Sequence, residues 1–157
     1  MTANFKPKMI KNNRQKRTQK LDSPILADFA EQLRLAGLRP TRQRVGIAAL
    51  LFDGHHRHVT ADSLNEEITA AGLRVSSGTV YNTLNQFTDA GLLRRVIIHS
   101  EYSLFDTNTD RHHHFYDASK DQLVDIPNDD LILAQLPQAP DGYEINAVDV
   151  VIHIQSK

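Results

Sequence analysis

The sequence contains no cysteine. Disulfides, thiolate-held zinc and thiolate-ligated haem are therefore excluded, and any metal must take its ligands from His, Asp, Glu or Tyr. No apolar run approaches the ~20 residues that a membrane-spanning helix needs. The N-terminal stretch lacks the apolar core of a secretory signal, so the expected compartment is the cytoplasm, with no membrane partner. Catalytic signatures are missing too: there is no His-Glu-x-x-His pattern, no nucleophile elbow and no recognisable general base beside the histidines.

What is present is unevenly spread. Residues 1–20 carry Lys6, Lys8, Lys11, Arg14, Lys16, Arg17 and Lys20 with no acid, while all 19 acidic side chains follow. The composition predicts a basic, disordered arm over residues 1–22 before an acidic body. Such an arm suits a nucleic-acid backbone, and the plainer alternative is a solvated tail.

Ser23-Pro24 reads as the start of a first helix, with Ile25, Leu26, Phe29, Ala30 and Leu33 on one stripe and Gly37 beyond its end. Thr41 is the expected cap of a second helix whose inward residues are Val45, Ala48, Ala49 and Phe52. Arg39, Arg42 and Arg44 cluster around that start, where they can hold phosphates or enter a minor groove. His55, His56 and His58 lie in a connector. Thr60 caps a third helix that buries Leu64 and Ile68.

The stretch Val75 to Phe87 organises the first part of the chain. Val80, Leu84 and Phe87 repeat at i, i+4, i+7, one face of a fourth helix. The other face carries Tyr81, Asn82, Asn85 and Gln86, with Ser76, Ser77 and Thr79 at the N-terminus and no acid. A slim, uncharged, hydrogen-bonding face fits a major groove, although an ordinary surface helix has the same pattern. Leu92 to His99 and Tyr102 to Asp106 then read as a β-hairpin turning at Ser100-Glu101. Three helices and a hairpin predict a winged helix-turn-helix.

Beyond it, His113 to Ala118 and Gln122 to Ile126 read as two strands, Asp130 to Leu136 as a short helix, and Tyr143 to Gln155 as a final strand. The apolar residues on both sides of that last strand predict cover on both faces. The fold class is α+β: an N-terminal winged helix-turn-helix DNA-binding domain over 23–106, then a small α/β dimerisation and effector-binding domain over 107–157. In His112-His113-His114, strand alternation lets His112 and His114 share a site that His113 cannot easily join.

Three runs together carry a resemblance: Ala36 to Arg44, His58 to Leu64, and Thr79 to Leu92, followed by the triple histidine. In order and spacing they resemble the ferric uptake regulator superfamily. Within it, His112-His113-His114-Phe115-Tyr116 and the missing cysteines look most like the α-proteobacterial iron response regulator branch. The resemblance implies a homodimer, able to associate further, on palindromic A·T-rich double-stranded operators. It implies that Tyr81 packs on thymine methyls and that Arg39 enters the minor groove. Thr41, Arg42, Arg44, Ser76, Ser77, Thr79 and Asn82 complete the expected DNA-facing set. Asn82 stands where many relatives carry arginine.

The resemblance also implies one metal or haem site, at His58, Asp106, His114, Tyr116 and Asp125, with His112 and His113 as the remaining histidines of the cluster. Tyr116 replaces a histidine there. A second family site is expected to be lost, because Phe115 and Ala147 replace two of its ligands, and a cysteine-ligated structural zinc is impossible. The branch implies a regulator of iron and haem genes that is active at low iron and inactivated by haem. Direct sensing of Fe2+, Mn2+ or Zn2+ is the alternative. A metalloenzyme using His112, His114 and Asp106, or a haem carrier, would be the remaining classes.

Overall fold

Helix-capping chemistry sets the first part of the chain. In the computed structural model, which describes residues 23–99 and 102–156, helix α1 runs Ser23–Leu35 and α2 runs Arg42–Leu51. Thr41 sits at the N-cap of α2, its hydroxyl accepting from the Arg44 amide. Thr60 opens α3 (Ala61–Ala70) with a reciprocal capping box to Ser63. Ser76 opens α4 (Ser77–Asp89), accepting from the Thr79 amide. Each hydroxyl satisfies an amide that the helix leaves without a carbonyl. Gly37 and Gly91 end α1 and α4 at φ 77° and 73°, a backbone region that glycine enters without strain.

The stripes read from the sequence meet in one core. Phe29 and Leu33 of α1, Val45, Ala48 and Phe52 around α2, Leu64 and Ile68 of α3, and Val80, Leu84 and Phe87 of α4 are all buried. Phe52 and Phe87 stack with ring centroids 6.2 Å apart. A three-stranded antiparallel sheet completes this unit in the order β1-β3-β2, with β1 His58–Val59, β2 Arg94–His99 and β3 Tyr102–Asp106. The expected turn at Ser100-Glu101 and the basic arm over 1–22 lie outside the described residues.

Strand β1 replaces part of the expected connector. It is only two residues long, too short for any periodicity, and pairing with β3 makes it. The Arg57 amide donates to the Thr107 hydroxyl (2.9 Å) and the Thr107 amide to the Arg57 carbonyl (3.1 Å), extending the ladder. The Arg57 guanidinium pairs with Glu67 of α3.

The described chain divides into two compact units, the first ending at Thr109 and the second beginning at Asp110. In the second, β4 (His113–Asp117) lies between antiparallel β5 (Gln122–Ile126) and parallel β6 (Val151–Ile154). Two expectations are corrected here. Asp130 to Leu136 is not a helix: a single 3-10 turn covers Asn128–Asp130, and residues 131–140 carry no regular structure. The final strand is four residues long because its partner is short; β4 offers only His114 to Asp117 as register partners. In the single chain, His153 and Ile154 of β6 are exposed. No helix among the described residues is long and apolar enough to cross a membrane.

Candidate metal and nucleic-acid sites

Both units build a His–Asp pair by the same device. In an antiparallel ladder, residues directly opposite one another hold their side chains together on one face. His58 and Asp106 are register partners in β1–β3, and His58 Nε2 lies 3.5 Å from Asp106 Oδ2. The other oxygen of Asp106 accepts the Asn108 amide at 2.7 Å, which fixes the carboxylate plane. In the second unit His114 and Asp125 are register partners in β4–β5, with His114 Nε2 3.7 Å from Asp125 Oδ1.

His112, just before β4, joins the second pair. Its Nε2 lies 3.4 Å from the same Asp125 oxygen, and its ring meets that of His114 edge-on at 4.5 Å between centroids. The Nδ1 of His112 is 2.7 Å from the Asp110 carbonyl, which can only accept, so Nδ1 carries the proton. Nε2 of the neutral ring then turns a lone pair toward a carboxylate oxygen. That approach is unfavourable unless a cation stands between them or the imidazole is itself charged. A backbone carbonyl orienting the far nitrogen is also how metal-ligating histidines are usually held. Imidazole and carboxylate ligands without sulfur suit a borderline or hard divalent ion. The donor set therefore fits a divalent metal.

The remaining predicted ligands are placed differently. His113 points to the other face, where its Nδ1 accepts the Val150 amide at 3.2 Å and starts β6. Tyr116 is buried, and its hydroxyl donates to Asp121 Oδ1 at 3.0 Å. Burial first, then the Asp121 carboxylate, raises its pKa and keeps the phenol protonated. Its ring lies edge-on against His153, with centroids 5.4 Å apart.

The nucleic-acid candidates lie on the first unit. Tyr81 is half exposed, and Arg39, Thr41, Arg42, Ser76, Ser77 and Asn82 are exposed. The hydroxyls of Thr41 and Ser76 act as helix caps, and Thr79 Oγ1 lies 2.9 Å from Ser76 Oγ. Arg44 is not an open cation: it donates to Gln86 Oε1 and to the Arg39 carbonyl. Asn85 is held by Arg95 of β2, whose guanidinium lies over the Phe105 ring at 5.4 Å. The polar face of α4 thus divides by helical turn: Tyr81 and Asn82 are exposed, while Asn85 and Gln86 one turn on are half-buried and engaged. Periodicity alone could not show this, because the two arginines arrive from elements 42 and 10 residues away.

The comparisons with known proteins agree over most of the chain. A model of the ferric uptake regulator family matches residues 35–153. The ferric uptake regulation protein of Vibrio vulnificus is 26% identical over 133 residues, 84% of this chain and 89% of its own length. The peroxide-responsive repressor PerR of Staphylococcus aureus is 33% identical over 101 residues, 64% of this chain and 68% of its own. The structure of the ferric uptake regulator from Pseudomonas aeruginosa with manganese superposes at a TM-score of 0.62 and 26% identity, covering 81% of this chain and 96% of that one. The chain belongs to the ferric uptake regulator family, whose members are transcription regulators and not enzymes.

Proposed function

We propose that the protein is a cytoplasmic, homodimeric, divalent-metal-responsive repressor. The domain over 23–106 works as a winged helix whose α4 enters the major groove of an A·T-rich palindromic operator. Tyr81 and Asn82 read base edges, Arg39 enters the minor groove, and Arg42 holds phosphate. The domain over 107–157 carries dimerisation and effector binding.

One observation carries the effector reading: each unit holds a cross-strand His–Asp pair, and the second adds an oriented His112. Each unit therefore offers imidazole and carboxylate donors to a divalent ion. Ion binding would shift the protein toward the form that holds the ion more tightly, by that difference in affinity. Manganese is named with the Pseudomonas aeruginosa regulator, and Fe2+, Mn2+ and Zn2+ are the candidates.

Haem, the effector implied by the iron response regulator branch, is the second reading, favoured by the apolar Phe115 beside the histidines. The geometry supports it less well. The donor atoms of His112, His114 and Asp125 lie within 4.8 Å of one another, a shell for a small ion more than a slot for a macrocycle. Tyr116, the other haem-type ligand, is engaged by Asp121.

Calorimetric titration with Mn2+ and Zn2+, with operator binding followed on the same samples, tests the proposal. One ion per chain that alters DNA affinity is expected. His114→Ala should weaken that ion about 100-fold, at the upper end for groups that tune a metal site. Haem binding with a Soret shift and DNA release, alongside inert divalent ions, would transfer the role to haem.

A further inference from the structure

From the hydrogen bonds of one arginine we infer that Arg44 is a positioning residue of DNA recognition: a clamp that fixes the minor-groove arginine against the reading helix. The inference rests on the proposal that Arg39 and α4 face DNA. Arg44 is half-buried in the first turn of α2. Its Nε and Nη2 both donate to Gln86 Oε1, at 3.1 and 2.6 Å. Its Nη1 donates to the Arg39 carbonyl at 2.9 Å. One planar fork therefore ties the exposed loop before α2 to the last turn of α4. Gln86 lies one turn on from Asn82, on the same side of the helix. This guanidinium thus bridges the element that would enter the minor groove and the one that would read the major groove.

Lysine cannot replace it. An ammonium on a flexible stem carries the charge but not the fork, so it cannot serve Gln86 and the Arg39 carbonyl together. This separates the clamp from a phosphate contact, which needs only the charge. A clamp predicts that Arg44→Lys behaves nearly like Arg44→Ala. A phosphate contact predicts that Arg44→Lys behaves like the wild type.

The probe is a duplex enriched by the wild-type full-length protein from a randomised library, set against a shuffled duplex of equal length across a salt series. Arg44→Lys should lower affinity for the enriched duplex about tenfold, within the range of coupled neighbouring residues. It should leave shuffled-duplex binding and the salt slope unchanged, whereas Arg42→Ala should reduce that slope by about 1. Gln86→Leu, which keeps every charge and removes the acceptor, should reproduce the loss. In an Arg39→Ala background, Arg44→Lys should add less than about twofold, because the residue it positions is gone. Thermal unfolding of each variant separates a lost clamp from a lost fold. If Arg44→Lys is silent, or adds fully to Arg39→Ala, the clamp is wrong while the DNA reading stands. If Tyr81→Ala and Arg39→Ala both leave the ratio of enriched to shuffled binding unchanged, that reading itself fails and takes the clamp with it.

Discussion

The two units spend their apolar residues differently. Among the described residues, the first gathers seventeen buried apolar residues into one cluster, including Phe29, Phe52 and Phe87. The second, a three-stranded sheet with a long irregular segment, buries only Tyr116, Leu123 and Ile126 among the apolar side chains of its described residues. It leaves Val124, Ile132, Leu133, Leu136, Tyr143, Ile145 and Ile154 exposed. Within this surface, Leu133, Leu136, Ile145 and Val148 line an open cavity of about 370 Å³ together with Arg111 and His113. A contiguous apolar surface of this kind on a small domain marks an interaction face. One unit is complete by itself, and the other has kept its apolar side chains for a partner, here proposed to be a second copy.

The largest effect should come from the complete unit. Phe87 is fully buried at the centre of its core and stacks on Phe52. Phe87→Ala should cost about 3–5 kcal/mol, the range for truncating a buried aromatic. Denaturant unfolding followed by circular dichroism would measure it. A loss under about 1 kcal/mol would mean that this core is loosely packed and that the contrast between the units is false.

The incomplete unit should answer through association. Ile145 is 45% exposed and borders the cavity. Ile145→Asp would place a charge in the proposed interface and should weaken dimerisation by about 2 kcal/mol or more, as at a hot spot. Sedimentation at micromolar concentration should then show monomer, with the helical signal of the first unit unchanged. A variant that stays dimeric would move the interface elsewhere.

The same contrast explains what could be read in advance. Helices carry their own instructions: Thr41, Thr60 and Ser76 stand where their hydroxyls cap, and the stripes ending in Phe52, Ile68 and Phe87 face one core. Strands β1 and β6 depend on distant partners. His58–Val59 exists because β3 lies beside it, and residues 143–150 stay out of the ladder because β4 begins only at His113. The segment after Ile126 carries apolar residues at helical frequency but leaves Ile132, Leu133 and Leu136 exposed. For the candidate metal site, the sequence offers the residue types that the strands bring together. The geometry was not legible, because a cross-strand pair appears only once register is fixed, and the role of the Asp110 carbonyl has no sequence signal. The outward face of α4 was half legible, since Arg44 and Arg95 claim Gln86 and Asn85 through tertiary contacts.

The smallest expected effect concerns acid. The caps of α2, α3 and α4 are hydroxyls, which do not titrate, whereas the β4–β5 turn is held by a carboxylate. Asp117 Oδ1 accepts the Ser119 hydroxyl at 2.6 Å and the Ser119 amide at 2.9 Å, and Lys120 Nζ lies 3.4 Å from Oδ2. The Ser119 hydroxyl bond is the main cause that lowers the Asp117 pKa, with its amide and Lys120 adding to it against the opposing pull of burial. Because the folded value is lowered, the stabilisation is fully present above the ordinary aspartate value of about 3.9 and is lost as pH falls through the folded value. Acid well below the ordinary aspartate range should therefore open the β4–β5 turn while the capped helices persist. Carboxyl titration by NMR should find Asp117 below the ordinary range in the wild type. Ser119→Ala should move it upward, and the amide of residue 119 should exchange faster in that variant. Titration of wild-type Asp117 at the ordinary value would show that the turn does not depend on its charge, and the acid response would then no longer distinguish the two units.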